Sequence, residues 1–363
     1  MRRLGISIYP EKSTVEEMKS YIDMAAQKGF SRIFSCLLSV NKDKSAIKEE
    51  FIEVNQYAKA KGFEIIVDVS PRVFKELDIS YQDLSFFKEI GADGLRLDQG
   101  FSGLEESLMT FNEHQLKIEL NMSLDTHYLD TIMDYQPNPY NLIGCHNFYP
   151  HKYSGLGMDF FAKCTQRFKN YGLRTAAFIC AQGGDAFGPW PVTDGLPTLE
   201  MHRHLPLHIQ AKHLIALGNI DDIIISNCYP TEQELTKVSA IRKDMVSFQV
   251  ELVEHIPEIE KSIVLDELHF NRGDVSGNFI RSTQSRVKYK GHRFDVFHAP
   301  PIIQKGDILI ESSEYGHYAG ELQIALTTME NSGKTNVVGK IVAEEHFILD
   351  AIKPWQKFNL IEG

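Results

Sequence analysis

Acidic side chains stand at the ends of apolar runs in this 363-residue chain. Carboxylates held near one another are what proton transfer and glycosyl transfer require. Asp68 lies near the end of the run 64–70, Asp98 closes 94–98 beside Arg96, and Glu119 stands inside 116–123. Glu200 ends a Gly- and Pro-rich stretch, 182–200, that also contains Asp185 and Asp194. Side chains alternate along a strand, so each run sends one set of residues to one face. Ser7 and Tyr9 share a face in 4–9, Asp68 and Ser70 in 64–70, and Arg96 and Asp98 in 94–98. Glu119, Asn121 and Ser123 share a face in 116–123. Two further runs end in His146-Asn147-Phe148-Tyr149-Pro150 and Ser226-Asn227-Cys228-Tyr229-Pro230. Polar groups gathered this way are costly in an apolar interior. They mark either a site or a closed hydrogen-bonded layer in which Arg96 neutralises Asp98 or Glu119. Glu200 has its own structural alternative, as the acid of a helical first turn capped by Thr198.

Other polar clusters carry less. His204 and His208 are four apart, but no Glu sits between them in the zinc-protease arrangement, so no metal is expected. Later in the chain, 269–276 and 280–283 bring Arg272, Arg281, Ser282 and free backbone N–H groups close in sequence. These are suitable donors for a phosphate or carboxylate, or else solvated turn residues.

Elements must position these residues. Eight β-rich runs, 4–9, 32–38, 64–70, 94–98, 116–123, 142–149, 174–181 and 222–229, recur about every 30 residues, the period of a βα unit. Amphipathic helical stretches separate them. Ser13-Thr14-Val15-Glu16-Glu17 offers a capping box, as do Thr231 and Glu234, and Lys61-Gly62 and Tyr171-Gly172 read as helix ends. A (β/α)8 TIM-type barrel over 1–244 is the expectation, with catalytic groups at the C-terminal ends of its strands. An open doubly wound sheet is disfavoured because no dinucleotide fingerprint follows the first run. Beyond residue 244 the rhythm shortens. Runs at 247–254, 262–268, 286–289, 294–298, 307–310, 320–326 and 336–342 read as strands of a small all-β domain, 245–363. The aromatics of 352–358 should tie down the last stretch.

A net charge of -11 repels nucleic acid and anionic membrane, so an anionic ligand must meet a local cluster of donors. Five cysteines lack metal or redox spacing, and neither a signal-peptide pattern nor an apolar run of about 18 residues is present. Reduced thiols and a cytoplasmic location are expected.

Several segments in order resemble the 6-phospho-N-acetylmuramidase (MupG-like) family. They are Leu4-Gly5-Ile6-Ser7-Ile8-Tyr9-Pro10, His146-Asn147-Phe148-Tyr149-Pro150, and Gly188-Pro189 followed by Gly195-Leu196-Pro197-Thr198-Leu199-Glu200. In the second half they are Arg272-Gly273-Asp274, Ile280-Arg281-Ser282 and Gly320-Glu321-Leu322-Gln323-Ile324. The chain departs from the family at Gly316-His317-Tyr318, with histidine where arginine is usual. The resemblance implies a barrel joined to a cyclophilin-like β-barrel, and a cytoplasmic hydrolase of peptidoglycan recycling that needs no cofactor. It implies a small-molecule partner, a disaccharide that carries a phosphate and a lactyl carboxylate. Cleavage would release 6-phospho-N-acetylmuramic acid from N-acetylglucosamine. On this reading Asp98, Glu119 and Glu200 are the catalytic shortlist, with Asp68 and Asp185 behind them. Ser7, Tyr9, Arg96, Asn121, Ser123, His146, Asn147, Tyr149, Arg272, Arg281 and Ser282 are the expected substrate contacts. Two alternatives stay open: a lyase acting on the lactyl ether of the same sugar phosphate, and a non-catalytic sugar-phosphate-binding protein.

Overall fold

The computed structural model describes residues 1–37, 44–69, 71–183, 186–192 and 194–363, with backbone alone at 44–47, 50 and 71. Asp185 and Ser70 lie outside the described residues. The chain folds into two compact units: Met1–Leu214 with Asn219–Ala240, and Ile215–Gly218 with Ile241–Gly363.

The first unit is a closed barrel of eight parallel strands. These are β1 (Arg3–Ile8), β2 (Arg32–Leu37), β3 (Glu64–Val69), β4 (Gly94–Leu97), β5 (Lys117–Asn121), β6 (Leu142–Cys145), β7 (Arg174–Ile179) and β8 (Asp222–Ile225). Each strand pairs with the next, and β1 closes on β8 through Arg3↔Asp222. Both faces of nearly every strand are buried, which is why the runs are continuously apolar and not alternating. Helices connect them, among them α1 (Val15–Gln27), α2 (Lys44–Ala60) and α3 (Met158–Asn170). Thr14 and Glu17 make the reciprocal capping box of α1, and Thr231 and Glu234 make that of α4 (Glu232–Ser239). Gly62 and Gly172 follow helix ends with φ of 88° and 72°, as the sequence predicts.

The second unit is mostly strand: a nearly closed, barrel-like seven-stranded sheet. Its chain order begins with β9 (Val246–Leu252), α5 (Glu258–Leu265), β10 (His269–Phe270), β11 (Phe279–Ser282) and α6 (Gln284–Lys288). It continues with β12 (Ile302–Ile303), β13 (Asp307–Glu311), β14 (Leu322–Ala325), β15 (Met329–Glu330), β16 (Thr335–Ile341) and β17 (Lys357–Glu362). The sheet order is β10-β17-β9-β16-β13-β14-β11, and β12 pairs separately with β15. Two expected strands are helices. Residues 262–268 fall largely in α5, where Glu260, Ile263 and Val264 turn to one buried side. Residues 286–289 fall in α6 and its C-cap. In both places short β-favouring runs yield to tertiary context. Residues 294–298 are irregular, held by Asn336, whose Oδ1 accepts from the N–H groups of Phe297 and His298.

Candidate active site

Three strand ends converge on one guanidinium. Arg96 Nη1 lies 2.5 Å from Asp68 Oδ1 and 3.5 Å from Asp98 Oδ1, and Arg96 Nη2 bonds Asn147 Oδ1. Asp68 is on β3, Arg96 on β4, Asp98 just past β4 and Asn147 just past β6, all toward the C-terminal rim. Arg96 and Asp68 are buried, whereas the Asp98 side chain is 36% exposed. Burial pushes the Asp68 carboxyl up to about 7; Arg96 opposes the rise and Asp98 adds to it. Two carboxyl groups therefore share one cation, one enclosed and one open to solvent.

A hydrogen-bonded chain continues from Asp98. Asn121 Nδ2 donates to the Asp98 carbonyl at 3.2 Å, and Asn121 Oδ1 accepts from Ser123 N–H at 2.9 Å. Ser123 Oγ accepts from Asn147 N–H at 2.8 Å and lies 3.1 Å from His146 Nδ1. The other ring nitrogen of His146 is 2.8 Å from Thr165 Oγ1. Burial, helped by Arg96, takes His146 down to about 3, so its ring is neutral and serves as a spacer between helix and strand. The phenol of Tyr149, raised by burial, adjoins Ser123. Arg96, Asp68, Asp98, Asn121, Ser123, His146, Asn147 and Tyr149 thus form one network.

Other sequence-predicted residues stand elsewhere. Glu119 is fully buried and bonded to Arg32, whose Nη1 also donates to Asp222 at 2.8 Å. Arg32 and Asp222 are the first residues of β2 and β8. Glu119 therefore belongs to an ionic layer at the N-terminal end of the barrel, where buried groups serve stability. Glu200 is a clamp. Its two oxygens accept from Arg203 Nε at 2.7 Å and Nη2 at 2.6 Å, and from the N–H groups of Tyr153 at 2.8 Å and Gly155 at 2.7 Å. Arg203 and these N–H groups hold it down at about 2, so it keeps no proton to give. Thr198 does not cap it: Thr198 Oγ1 bridges the Phe178 N–H and the Asn147 carbonyl at 2.9 and 2.8 Å. Ser7 Oγ donates to the Ile225 carbonyl at 2.7 Å, and Tyr9 OH donates to the Ser226 carbonyl. Both are buried, and their hydrogen bonds close β1 against β8 and the segment after it.

Sequence reasoning missed Arg203. Beyond Glu200 it donates to the carbonyls of Tyr149, Asp194, Gly195 and His151 at 3.0–3.2 Å, fastening the segment after β7 to the segment after β6. The i, i+3 spacing of Glu200 and Arg203 was the available signal. A cleft of about 290 Å³ opens beside this seam, lined by Lys152, Gln182, Phe187, Val192, His204 and Asn227. Among the described residues, no group of three His, Cys, Asp or Glu side chains is placed to hold a metal ion.

In the second unit Arg272 pairs with Asp274 at 2.5 Å, Arg281 pairs with Glu321 at 2.8 Å, and buried Ser282 Oγ lies 3.1 Å from His269 Nδ1. Arg281 and Ser282 point to opposite faces of β11, so only Arg281 opens toward solvent.

Comparison with known proteins matches residues 4–240 to "6-phospho-N-acetylmuramidase, N-terminal" and residues 246–361 to "6-phospho-N-acetylmuramidase, C-terminal". Among solved structures, an uncharacterised B. cereus protein is 48% identical, with 99% of each chain covered and a TM-score of 0.90. A conserved protein of unknown function from Enterococcus faecalis is 25% identical, with 99% of this chain and 96% of that one covered and a TM-score of 0.68. No curated protein matches the chain.

Proposed function

The chain belongs to the 6-phospho-N-acetylmuramidase family, and from that premise we propose that it is a cytoplasmic glycosidase which splits 6-phospho-N-acetylmuramic acid from N-acetylglucosamine. One observation carries the site assignment: the carboxyl groups of Asp68 and Asp98 gather on the Arg96 guanidinium at the C-terminal rim, with Asp98 facing solvent. Glycoside hydrolysis needs one proton for the leaving oxygen and one negative group for the oxocarbenium-like centre. With Asp68 raised to about 7, that carboxyl holds a proton near neutral pH. Asp98 is the member that reaches the sugar. Arg96 sets its position, and Asn121, Asn147 and Tyr149 supply hydrogen-bonding groups around it.

The geometry also bears on stereochemistry. Only Asp98 of the two faces solvent, so the pair does not flank a sugar with a water held between two carboxyls, as an inverting site requires. Retention follows, either through the enzyme carboxylate or through the substrate's own 2-acetamido oxygen. The test is incubation of the phosphorylated disaccharide with wild type and Asp98→Asn, with products followed by proton NMR. Wild type should release both sugars with the anomeric configuration kept at first. Asp98→Asn should slow release by about 10²–10⁴-fold while melting at the same temperature. Release of lactate without separation of the two sugars, or a variant of undiminished rate, overturns the assignment.

A further inference from the structure

The second unit has a cavity of its own, built on one face of four adjacent strands. Register fixes its walls. Arg281 of β11, Gln323 of β14 and Leu309 of β13 stand in one row, since Arg281 and Leu309 both pair with Gln323. On one side of that row come Glu321, Glu311 and Thr335, the last two being partners across β13 and β16. On the other side come Phe279 and Ala325, also paired. Side chains two apart on a strand share a face, so the face grades from acidic and hydroxyl, through cationic and amide, to apolar. The apolar end continues into a cluster of Ile303, Leu309, Ala325 and Val337, with Phe279 and Met329 packed on it. The space, open on one side to solvent, is about 420 Å³, within the range of small-molecule sites.

Its polar groups are buried but not fully used. Glu321 is wholly enclosed between Arg281 Nε at 2.8 Å and Arg286 Nη1 at 3.0 Å, with the ring of Tyr318 beside both guanidinium groups. Two arginines on one carboxylate leave a surplus positive charge. The two terminal nitrogens of Arg281 have no hydrogen-bond partner among the described residues, and its side chain is 20% exposed. Glu311 is 7% exposed, with Thr335 Oγ1 donating to it at 2.8 Å, and Gln323 is equally buried. A fork of free N–H groups, a buried amide and an apolar floor in sequence are the complement of one ligand shape: a carboxylate, then an amide, then a short hydrocarbon.

We propose that this cavity is a binding site for a small N-acylated amino acid, its carboxylate on Arg281, its amide against Gln323 and Glu311, and its acyl chain on Ile303, Leu309 and Met329. The site is built from the second unit alone and does not depend on the glycosidase reading. Burial pushes Glu311 up to about 7, so it is a neutral hydrogen-bond donor in mild acid and an anion in mild base. The other charged or titratable groups facing it are Arg281, Arg286, Glu321, Tyr315, Tyr318 and Glu330. The ionised form of Glu311 opposes a carboxylate ligand, and the neutral fraction falls about tenfold from pH 6 to pH 8.

The test is titration of the full chain with N-butyrylglycine, read from the methyl resonances of Met329 and Ile303, with N-butyrylglycinamide as the probe lacking the carboxylate. N-butyrylglycine should saturate these signals at pH 6 and bind about tenfold more weakly at pH 8, and the amide should bind at least tenfold more weakly at pH 6. Glu311→Gln, nearly isosteric, should bind equally at both pH values, and Arg281→Gln should lose binding. Should Arg281→Gln not fold, the amide probe and Glu311→Gln decide alone. Absence of saturation at pH 6, equal binding of acid and amide, or a pH dependence that persists in Glu311→Gln overturns the proposal.

Discussion

A carboxyl group acts as an acid or as an anchor according to the donors that surround it, and the barrel unit of this chain contains both cases. Glu200 accepts four charge-assisted or backbone hydrogen bonds and is held at about 2; Asp68, enclosed with one guanidinium that Asp98 also draws on, rises to about 7. The difference makes a kinetic prediction. Below about pH 7 Asp68 keeps its proton, and above it Asp68 loses it, so kcat/KM of wild type should fall on the alkaline side. Asp68→Asn has no such proton to lose. Its deficit against wild type should be largest at pH 6 and shrink by about tenfold by pH 8. A deficit constant across that range would place Asp68 outside proton transfer. Strand alternation was enough to bring Asp68, Arg96, Asp98, Asn121 and Ser123 to the interior from sequence. It could not rank their height, because period two fixes the face of a side chain and not its level along the barrel axis. Glu119 shares a face with Asn121, yet Arg32 and Asp222 draw it down into the lower ionic layer.

Two chain segments meet as elements where the ends of β6 and β7 are stitched together. The N–H groups of Tyr153 and Gly155 reach Glu200, Leu156 and Leu199 form a parallel bridge, and Arg203 ties down four carbonyls. Gly155 is required there, since a Cβ at that position would lie 2.6 Å from Glu200 Oε2. This seam shapes the rim without touching the carboxyl pair, so disturbing it should affect stability and substrate affinity more than the chemical step. Glu200→Gln keeps the shape but loses the charge that orders Arg203. It should cost about 1–2 kcal/mol at pH 7, a figure reduced for the partial exposure of the group. Because its pKa is lower folded than unfolded, the contribution is complete above about pH 4.5 and vanishes as pH falls to about 2. Urea denaturation of wild type and Glu200→Gln at pH 7 and pH 3 should therefore converge at the lower pH; a constant gap would show a packing role in place of a charge. At this scale the barrel strands were legible because each is an apolar run bounded by caps. The second unit was less so. Residues 258–265 combine β-favouring Ile and Val with a helical phase that only their buried neighbours resolve, and β17 includes Phe358, one of the aromatics that read simply as an anchor.

Over the whole molecule, the two units hold buried titratable groups of opposite kind. The barrel unit contains His146, taken by burial to about 3, His213, taken by burial to about 4, and His202, taken well below its ordinary value by burial and by His213. These rings are neutral when folded and charge when unfolded below pH 6.5, so each makes stability fall as pH drops, by about 1.4 kcal/mol per pH unit. Asp68 works the other way, since its folded form binds a proton from about pH 7 down, and it offsets one of the three. The second unit contains one such ring, His269, against three carboxyls raised by burial: Glu311 to about 7, with Glu260 and Asp307 also shifted up. Carboxyls of that kind make stability rise as pH falls toward their unfolded values. Between pH 7 and pH 5.5 the barrel should therefore lose stability while the second unit holds or gains it. Groups depressed below the ordinary carboxylate range, such as Asp222 and Glu200, act only at lower pH and leave this window undisturbed. Calorimetric scans at the two pH values, with hydrogen exchange to assign the transitions, should show the barrel melting earlier at pH 5.5 and the separation between transitions widening. Replacing the His202–His213 pair with Gln and Leu should narrow it again, because the ionisable groups and not the fold would have been responsible. Transitions that move down together by the same amount would refute the assignment of buried charge to the two units.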